Sequence, residues 1–181
     1  IDLTLEEIYH GVHKTLHLQQ LIREGSSYVT KNRDVNVNIP SGVSEGTRIR
    51  LSGQGGPGSG GPNGDLYLRV HILPHPRFNL NGIDLEVEML ISPWEAVLGT
   101  KAELATLTSR VNLNIPAGVQ SGQKLRLRGK GMPVAKGGRH GDLFAVIKIV
   151  VPKTVSERER ELWEDLSRES GFNPRPSGRE A

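Results

Sequence analysis

The chain has 181 residues, 35% of them hydrophobic, and its 23 Lys and Arg against 20 Asp and Glu leave a net charge of only +3. That composition suits one or two soluble globular units and lacks the concentrated charge of a typical nucleic-acid binder. With no cysteine, disulfides, thiolate zinc sites and thiol catalysis are excluded; the strongest apolar run, Ile147 to Val151, is interrupted by Lys148 and is too short to span a bilayer.

In chain order, the first element is a short helix. Thr4 is a hydroxyl N-cap with Glu7 three residues on and Gly11 as the stop. A strand follows over Lys14 to Leu18, with Leu16 and Leu18 on one face, and then a strand and loop excursion from His17 to Arg33. Val35, Val37 and Ile39 alternate with Asn36 and Asn38 and stop at Pro40, the pattern of a half-buried strand. Ile49 and Leu51 alternate with Arg48 and Arg50. Leu66, Leu68, Val70 and Ile72 share a face, and the segment His75-Pro76-Arg77-Phe78 leads out of this part of the chain.

The order then repeats. Ser92, Glu95 and Gly99 stand where Thr4, Glu7 and Gly11 stood, and VNLNIPAGVQSGQKLRLRGKGMP from Val111 aligns without a gap on VNVNIPSGVSEGTRIRLSGQGGP from Val35, at an offset of 76. A tandem duplication of one β module is implied. The two copies are unequal: from the helix-ending glycine to the repeated valine is 24 residues in the first copy and 12 in the second. Specialised function is therefore expected in the first. The chain ends in a different period, with a capping box at Ser156 and Glu159 and an amphipathic helix bearing Val155, Leu162, Trp163 and Leu166 before Gly171. Its apolar face is too narrow to be a core and must dock, on the second module or on another chain; the tail FNPRPSGREA reads as frayed.

Several tempting signals carry no chemistry. Gly53 to Gly61 is followed by neither Lys-Ser nor Lys-Thr and opens no helix, so it reads as a turn and not a phosphate cradle. His10, His13 and His17 would converge on a metal only on a continuous helix, which Gly11 breaks. Asp65 and Asp142 recur at equivalent places after a glycine, which points to turn chemistry and not to a catalytic pair. No Ser, His and acid set is recognisable, no cofactor is implied, and an enzyme is not expected. Among the basic residues, Arg48, Arg50, Lys124, Arg126, Arg128, Lys130 and Arg139 keep a nucleic-acid-binding tandem β module open as an alternative, although the three Tyr, three Phe and two Trp are not interleaved with them.

Taken together, LEEIYHG, IPSGVSEGTRIRLSGQG, GDLYL, HPRF, ISPWEAVLG, IPAGVQSGQKLRLRGKGMP and RHGDL, in that order, resemble the C-terminal peptide-binding region of DnaJ-type J-domain co-chaperones over roughly residues 1 to 170. The J domain's His-Pro-Asp tripeptide is absent, as are the Cys-x-x-Cys repeats of the zinc-bearing subclass, so the resemblance is to the zinc-free second subclass. The missing Met and signal peptide read as a piece of a longer, cytoplasmic protein.

The resemblance implies a mainly β fold: two tandem two-layer β-sandwich modules with short capped helices and a C-terminal α-helix. It divides the chain into a client-binding module (1–78), a spacer module (79–153) and a dimerisation helix with its tail (154–181). It places a groove for extended apolar polypeptide at Leu16, Leu18 and Phe78, contacts to the acidic tail of a DnaK-type partner at His13 and Lys14, and homodimer contacts at Leu162, Trp163 and Leu166. Neither nucleic acid nor a membrane is implied as a partner. By their residues alone, Leu16 and Leu18 could equally be core, Phe78 could seal the module junction, and His13 and Lys14 could form a solvated face.

Overall fold

A computed structural model describes residues 1–24, 27–56, 62–135 and 137–175. The tip of the excursion at 25–26, the part of the glycine-rich turn at 57–61 and the end of the expected frayed tail at 176–181 lie outside the described residues. The fold is mainly β, and the chain forms two compact units, Ile1–Ile149 and Val150–Ala181.

Both copies of the repeat lie in the first unit and follow one plan. Copy one runs β1 (Asp2–Leu3), α1 (Leu5–His10), β2 (Val12–Glu24), β3 (Ser27–Ile39), β4 (Arg48–Leu51), β5 (Leu66–Arg69) and β6 (His71–Ile72). A lead-in strand, β7 (Phe78–Asn81), precedes copy two, which runs β8 (Asp84–Ile91), α2 (Pro93–Leu98), β9 (Thr100–Ala105), β10 (Arg110–Ile115), β11 (Lys124–Leu127) and β12 (Leu143–Ile149). Pairings correspond as well. β1 is parallel to β6 as β8 is to β12, β2 is antiparallel to β3 as β9 is to β10, and β4 meets β5 as β11 meets β12. The boundary expected between residues 78 and 79 falls inside β7, which is the outer strand of the sheet β11-β12-β8-β7.

The local reasons are those the residue pattern announces. Thr4 Oγ1 accepts the Glu7 N–H at 3.3 Å while Glu7 Oε2 accepts the Thr4 N–H at 3.0 Å, and Ser92 and Glu95 do the same at 3.3 and 2.8 Å. Both helices stop at a glycine with φ near +75°, Gly11 at 74° and Gly99 at 78°. A side chain there would also press on backbone, since a Cβ on Gly99 would stand 2.9 Å from the Ala117 nitrogen. Val35, Val37 and Ile39 are buried between exposed Asn36 and Asn38, and Val111, Leu113 and Ile115 form the matching row in copy two, with Ile115 buried and the other two half-buried. Leu3, Leu5 and Ile8 close over the first row; Leu85, Ile91 and Ala96 close over the second.

Where the copies differ, the surplus chain is not a separate strand and loop. It prolongs the same hairpin: β2 and β3 have 13 residues each and stay in register from Val12 opposite Ile39 to Glu24 opposite Ser27, whereas β9 and β10 have six each. Each strand gains seven residues, 13 against six, and the paired extension satisfies inward-facing backbone groups that a loop would leave to water.

In the second unit, α3 (Glu157–Glu169) starts at the expected box, with Ser156 Oγ accepting from Glu159 N–H at 3.3 Å and Glu159 Oε2 accepting from Ser156 N–H at 2.7 Å. Leu162, Trp163 and Leu166 are 51, 36 and 55% exposed.

The duplicated aspartates are turn residues. Asp65 Oδ1 accepts the Gly53 N–H at 3.0 Å and its Oδ2 meets Arg50; Asp142 Oδ1 accepts the Gly129 N–H at 2.7 Å and its Oδ2 meets Arg126. Those backbone bonds first, and the arginines with them, hold both carboxyls below the usual carboxylate range. A carboxyl whose pKa is lowered by folding stabilises the fold above its unfolded value, near 3.9, and that stabilisation is lost as pH falls through the folded value. Asp65→Asn with Asp142→Asn is therefore expected to flatten the acid limb of a urea-midpoint against pH curve while lowering the midpoint at pH 7. An acid limb as steep as in the parent chain would refute the assignment.

Candidate functional site

The prolonged hairpin sets the site. On β2, Leu16 and Leu18 lie half-buried on one face, opposite Val35 and Arg33, while His13, Thr15 and His17 stand exposed on the other. The copy-two partner of Leu16, under the same register, is Leu104, which is only 3% exposed. The partner of Leu18 is Thr106, where β9 has already ended and the hydroxyl accepts the Ser109 N–H at 3.0 Å to close a turn. One frame therefore makes core and turn in copy two and a half-open apolar strip in copy one.

That strip runs into a crease of roughly 210 Å³ lined by Leu18, Gln20, Arg33, Gln54, Gly55 and Leu66 among others. Its lining is mostly apolar, with the amide side chains of Gln20 and Gln54 among it. Arg33 donates to Gln54 Oε1 across it, which ties the hairpin to the glycine-rich turn. Gly55 must be glycine: its N–H reaches the Gly64 carbonyl at 2.7 Å, and a Cβ would stand 2.6 Å from the Asp65 carbonyl oxygen. Gly131 repeats this contact in copy two, its N–H bonding the Gly141 carbonyl at 2.8 Å. Gln20 and Gln54 are not singled out by the sequence pattern, and Leu66 is read there only as part of a strand face. The signal for them was the excess length before Val35, whose register could not be read without the partner strand.

The other expected site residues are dispersed. Lys14 shares the face of Leu16 and Leu18, and its Nζ donates to the Asp2 carbonyl at 3.1 Å and pairs with Glu7 at 2.8 Å. Burial would raise the Glu7 carboxyl, but the bonds from Lys14 and from the Thr4 N–H, with the Lys14 charge, bring it below the usual range. His13 is one residue away on a strand and so faces the opposite side. The two do not form one patch.

Phe78 is 4% exposed on β7, opposite Val87, with the His75 ring 5.1 Å away between centroids. The depression beside it is lined by Leu5, Ile72, Leu73 and Leu80, and it contains neither Leu16 nor Leu18. His75 organises the HPRF turn: Nδ1 accepts the N–H groups of Arg77 and Phe78, both at 3.0 Å, and Nε2 lies 3.1 Å from Glu6 Oε1.

His13 and His17, four residues apart on a strand, are about 13 Å apart along it, too far to share a metal. Of the basic residues considered for nucleic acid, Arg50, Arg126 and Lys124 are engaged by Asp65, Asp142 and Glu86. Arg48, Arg128, Lys130 and Arg139 have no ion pair among the described residues. No described helix is long and apolar enough to cross a membrane.

Comparison with known proteins agrees in one direction. The family model of the DnaJ C terminal domain matches residues 1–152. The chain is 53% identical over 179 residues to a curved DNA-binding protein of Salmonella arizonae, covering 97% of this chain and 58% of that protein. It is 46% identical over 174 residues to one of Pseudomonas syringae pv. tomato, covering 94% and 55%, and 42% identical over 178 residues to one of Coxiella burnetii, covering 97% and 56%. The chain thus spans a little over half the length of these relatives, and none of their names denotes an enzyme.

Proposed function

Because the chain belongs to the DnaJ C terminal domain family, we propose that it is the client-binding part of a zinc-free DnaJ-type co-chaperone, capturing extended apolar polypeptide without ATP for delivery to a DnaK-type chaperone. The observation that carries this reading is the strip of Leu16 and Leu18 over the crease, left half-open only in the copy with the long hairpin. Apolar pockets beside an extended backbone are what a sequence-tolerant peptide receptor needs.

In this reading residues 1–78 work on clients, 79–153 space them, and 154–181 pair two chains. Phe78 supports the groove from the module junction. Its burial favours packing over direct contact with a client. Of His13 and Lys14, exposed His13 is the better placed to meet the acidic tail of the DnaK-type partner, since Lys14 lies on the opposite face and Glu7 already holds it. A reducing, cytoplasmic setting suits a chain without cysteine.

Replacing Leu16 and Leu18 together by Ser is expected to weaken suppression of aggregation of a heat-denatured client by about tenfold, with the β-rich circular dichroism spectrum retained. Unchanged suppression by the folded double variant would remove the groove from this face. For the homodimer, Leu162→Asp with Leu166→Asp is expected to convert dimer to monomer in sedimentation velocity, because exposed apolar side chains on a narrow helical face need a partner surface. A dimer that persists would reject α3 as the interface.

A second reading, nucleic-acid binding, is favoured by the names of the relatives and by the ion-pair-free Arg48, Arg128, Lys130 and Arg139. Salt separates the two. Phosphate contacts release counterions, so binding of a duplex should weaken by orders of magnitude between about 50 and 200 mM salt, while apolar peptide capture should hold. Duplex binding that resists salt, or is absent at low salt, would dismiss this second reading.

A further inference from the structure

We infer that the free edge of β7 is a second polypeptide site, taking an extended segment with alternate apolar side chains and a Lys or Arg beside Glu45. This deepens the client-binding reading by adding a place and a recognition chemistry that the Leu16 and Leu18 strip lacks.

The edge is open by topology. In the order β11-β12-β8-β7, β7 has a neighbour on one side only. Asn81 and Asp84 flank the two-residue turn Gly82-Ile83, with Gly82 at φ 64°, and so form a hydrogen-bonded pair. Alternation then turns the backbone groups of Leu80 and Phe78 away from β8. Phe78 agrees, since its N–H leaves the sheet for His75 Nδ1. Leu80 is left with its N–H and carbonyl directed outward, the arrangement that accepts an added strand.

Alongside this edge runs an apolar trench. Two depressions of about 350 and 360 Å³ share Glu45, Ile72 and Leu80 in their lining, so they adjoin along this edge. Ile8, Val43 and Met132 line one end and Leu5, Leu73 and Phe78 the other, giving side chains of an added strand separate places to bury. Leu73 and Ile83 are 39 and 42% exposed at its mouth.

The far wall sets the charge. On and just after β6, the N–H groups of His71 and Leu73 bond the carbonyls of Ile1 and Leu3, both at 2.8 Å, so the Ile72 N–H points the other way and is taken by Glu45 Oε2 at 2.6 Å. That backbone bond, then the bond and charge of His71, lowers the Glu45 carboxyl, and its side chain stays 55% exposed. No Lys or Arg lines either depression. Copy two has Ser121 at the position of Glu45, so the carboxylate belongs to copy one alone. A cationic side chain next to an apolar run is the complement.

The test uses fluorescein-labelled octapeptides of alternating Leu and Ser, one flanked by Arg and one by Asp, titrated into the full chain by polarisation. Expected are an about tenfold weaker Kd for Leu73→Lys with Ile83→Lys, and a three- to tenfold (about half a log to one log) weaker Kd for Glu45→Gln with the Arg peptide only. In the parent chain, amide shifts at Leu80 and Gly82 should move with peptide, and should still move in the Leu16→Ser, Leu18→Ser variant. Loss of client protection in that variant with these shifts intact separates the two sites. Unchanged affinity in the Leu73, Ile83 variant, still amides at Leu80 and Gly82, or a loss of self-association there without loss of peptide binding would each overturn the proposal; the last would make the trench a contact between copies.

Discussion

Each copy of the repeat depends on one parallel pairing that ties its beginning to its end. Leu3 lies opposite Ile72 in copy one, and Ile91 lies opposite Ile149 in copy two. Everything between is bracketed by that contact: a capped helix, a hairpin and a returning strand must all fit within it. The helix can be short because its N-cap is reciprocal and its stop is a positive-φ glycine, so few residues spend conformational entropy on connections. The hairpin lies outside that closing pair and can lengthen without disturbing it. It is also where the copies diverge.

Function follows from substitution on a fixed frame. Leu16 and Leu104 occupy one register position, yet one is half-open and the other is core, because β2 continues past it while β9 turns back at Thr106. Glu45 and Ser121 occupy another, and only the carboxylate can cap the Ile72 N–H and leave charge at the rim of the trench. Neither difference alters the closing pair. A duplicated module can therefore gain a binding surface at the hairpin or at the seam between copies while its core stays the same.

What was legible in the sequence was local. Hydroxyl, Glu and Gly spacing located all three helices, and Val35, Val37, Ile39 against Asn36, Asn38 located a strand with its inner face. Register was not legible. Lys14 looked available beside His13, but strand alternation sends them to opposite faces and Glu7, seven residues back on α1, holds the ammonium. Phe78 looked like a wall of the groove at Leu16 and Leu18, but it opens β7 opposite Val87, a pairing set by a hairpin turn further along the chain, and lines a different depression. The added residues did carry a two-residue hairpin signal in Gly25-Ser26, but the length of the ladder on either side of it was not legible until both strands were seen together.

The crease on β2 and the trench along β7 lie in one compact unit, and that changes what weak contacts can do. Each has room for only a few residues, and each alone would hold an exposed apolar segment loosely. An unfolded chain is long enough to occupy both, and once it is held at one, its effective concentration at the other is on the order of millimolar for a short flexible connection. Retention then rises without any tight pocket, and either half can let go as the client folds. Apolar strips with amide sides favour this behaviour, because they recognise side-chain spacing and backbone instead of one sequence. On the proposed reading, the surplus hairpin residues and the carboxylate of Glu45 are small departures from a duplicated frame that give one polypeptide two places to be caught, one on the first copy and one at the seam between copies.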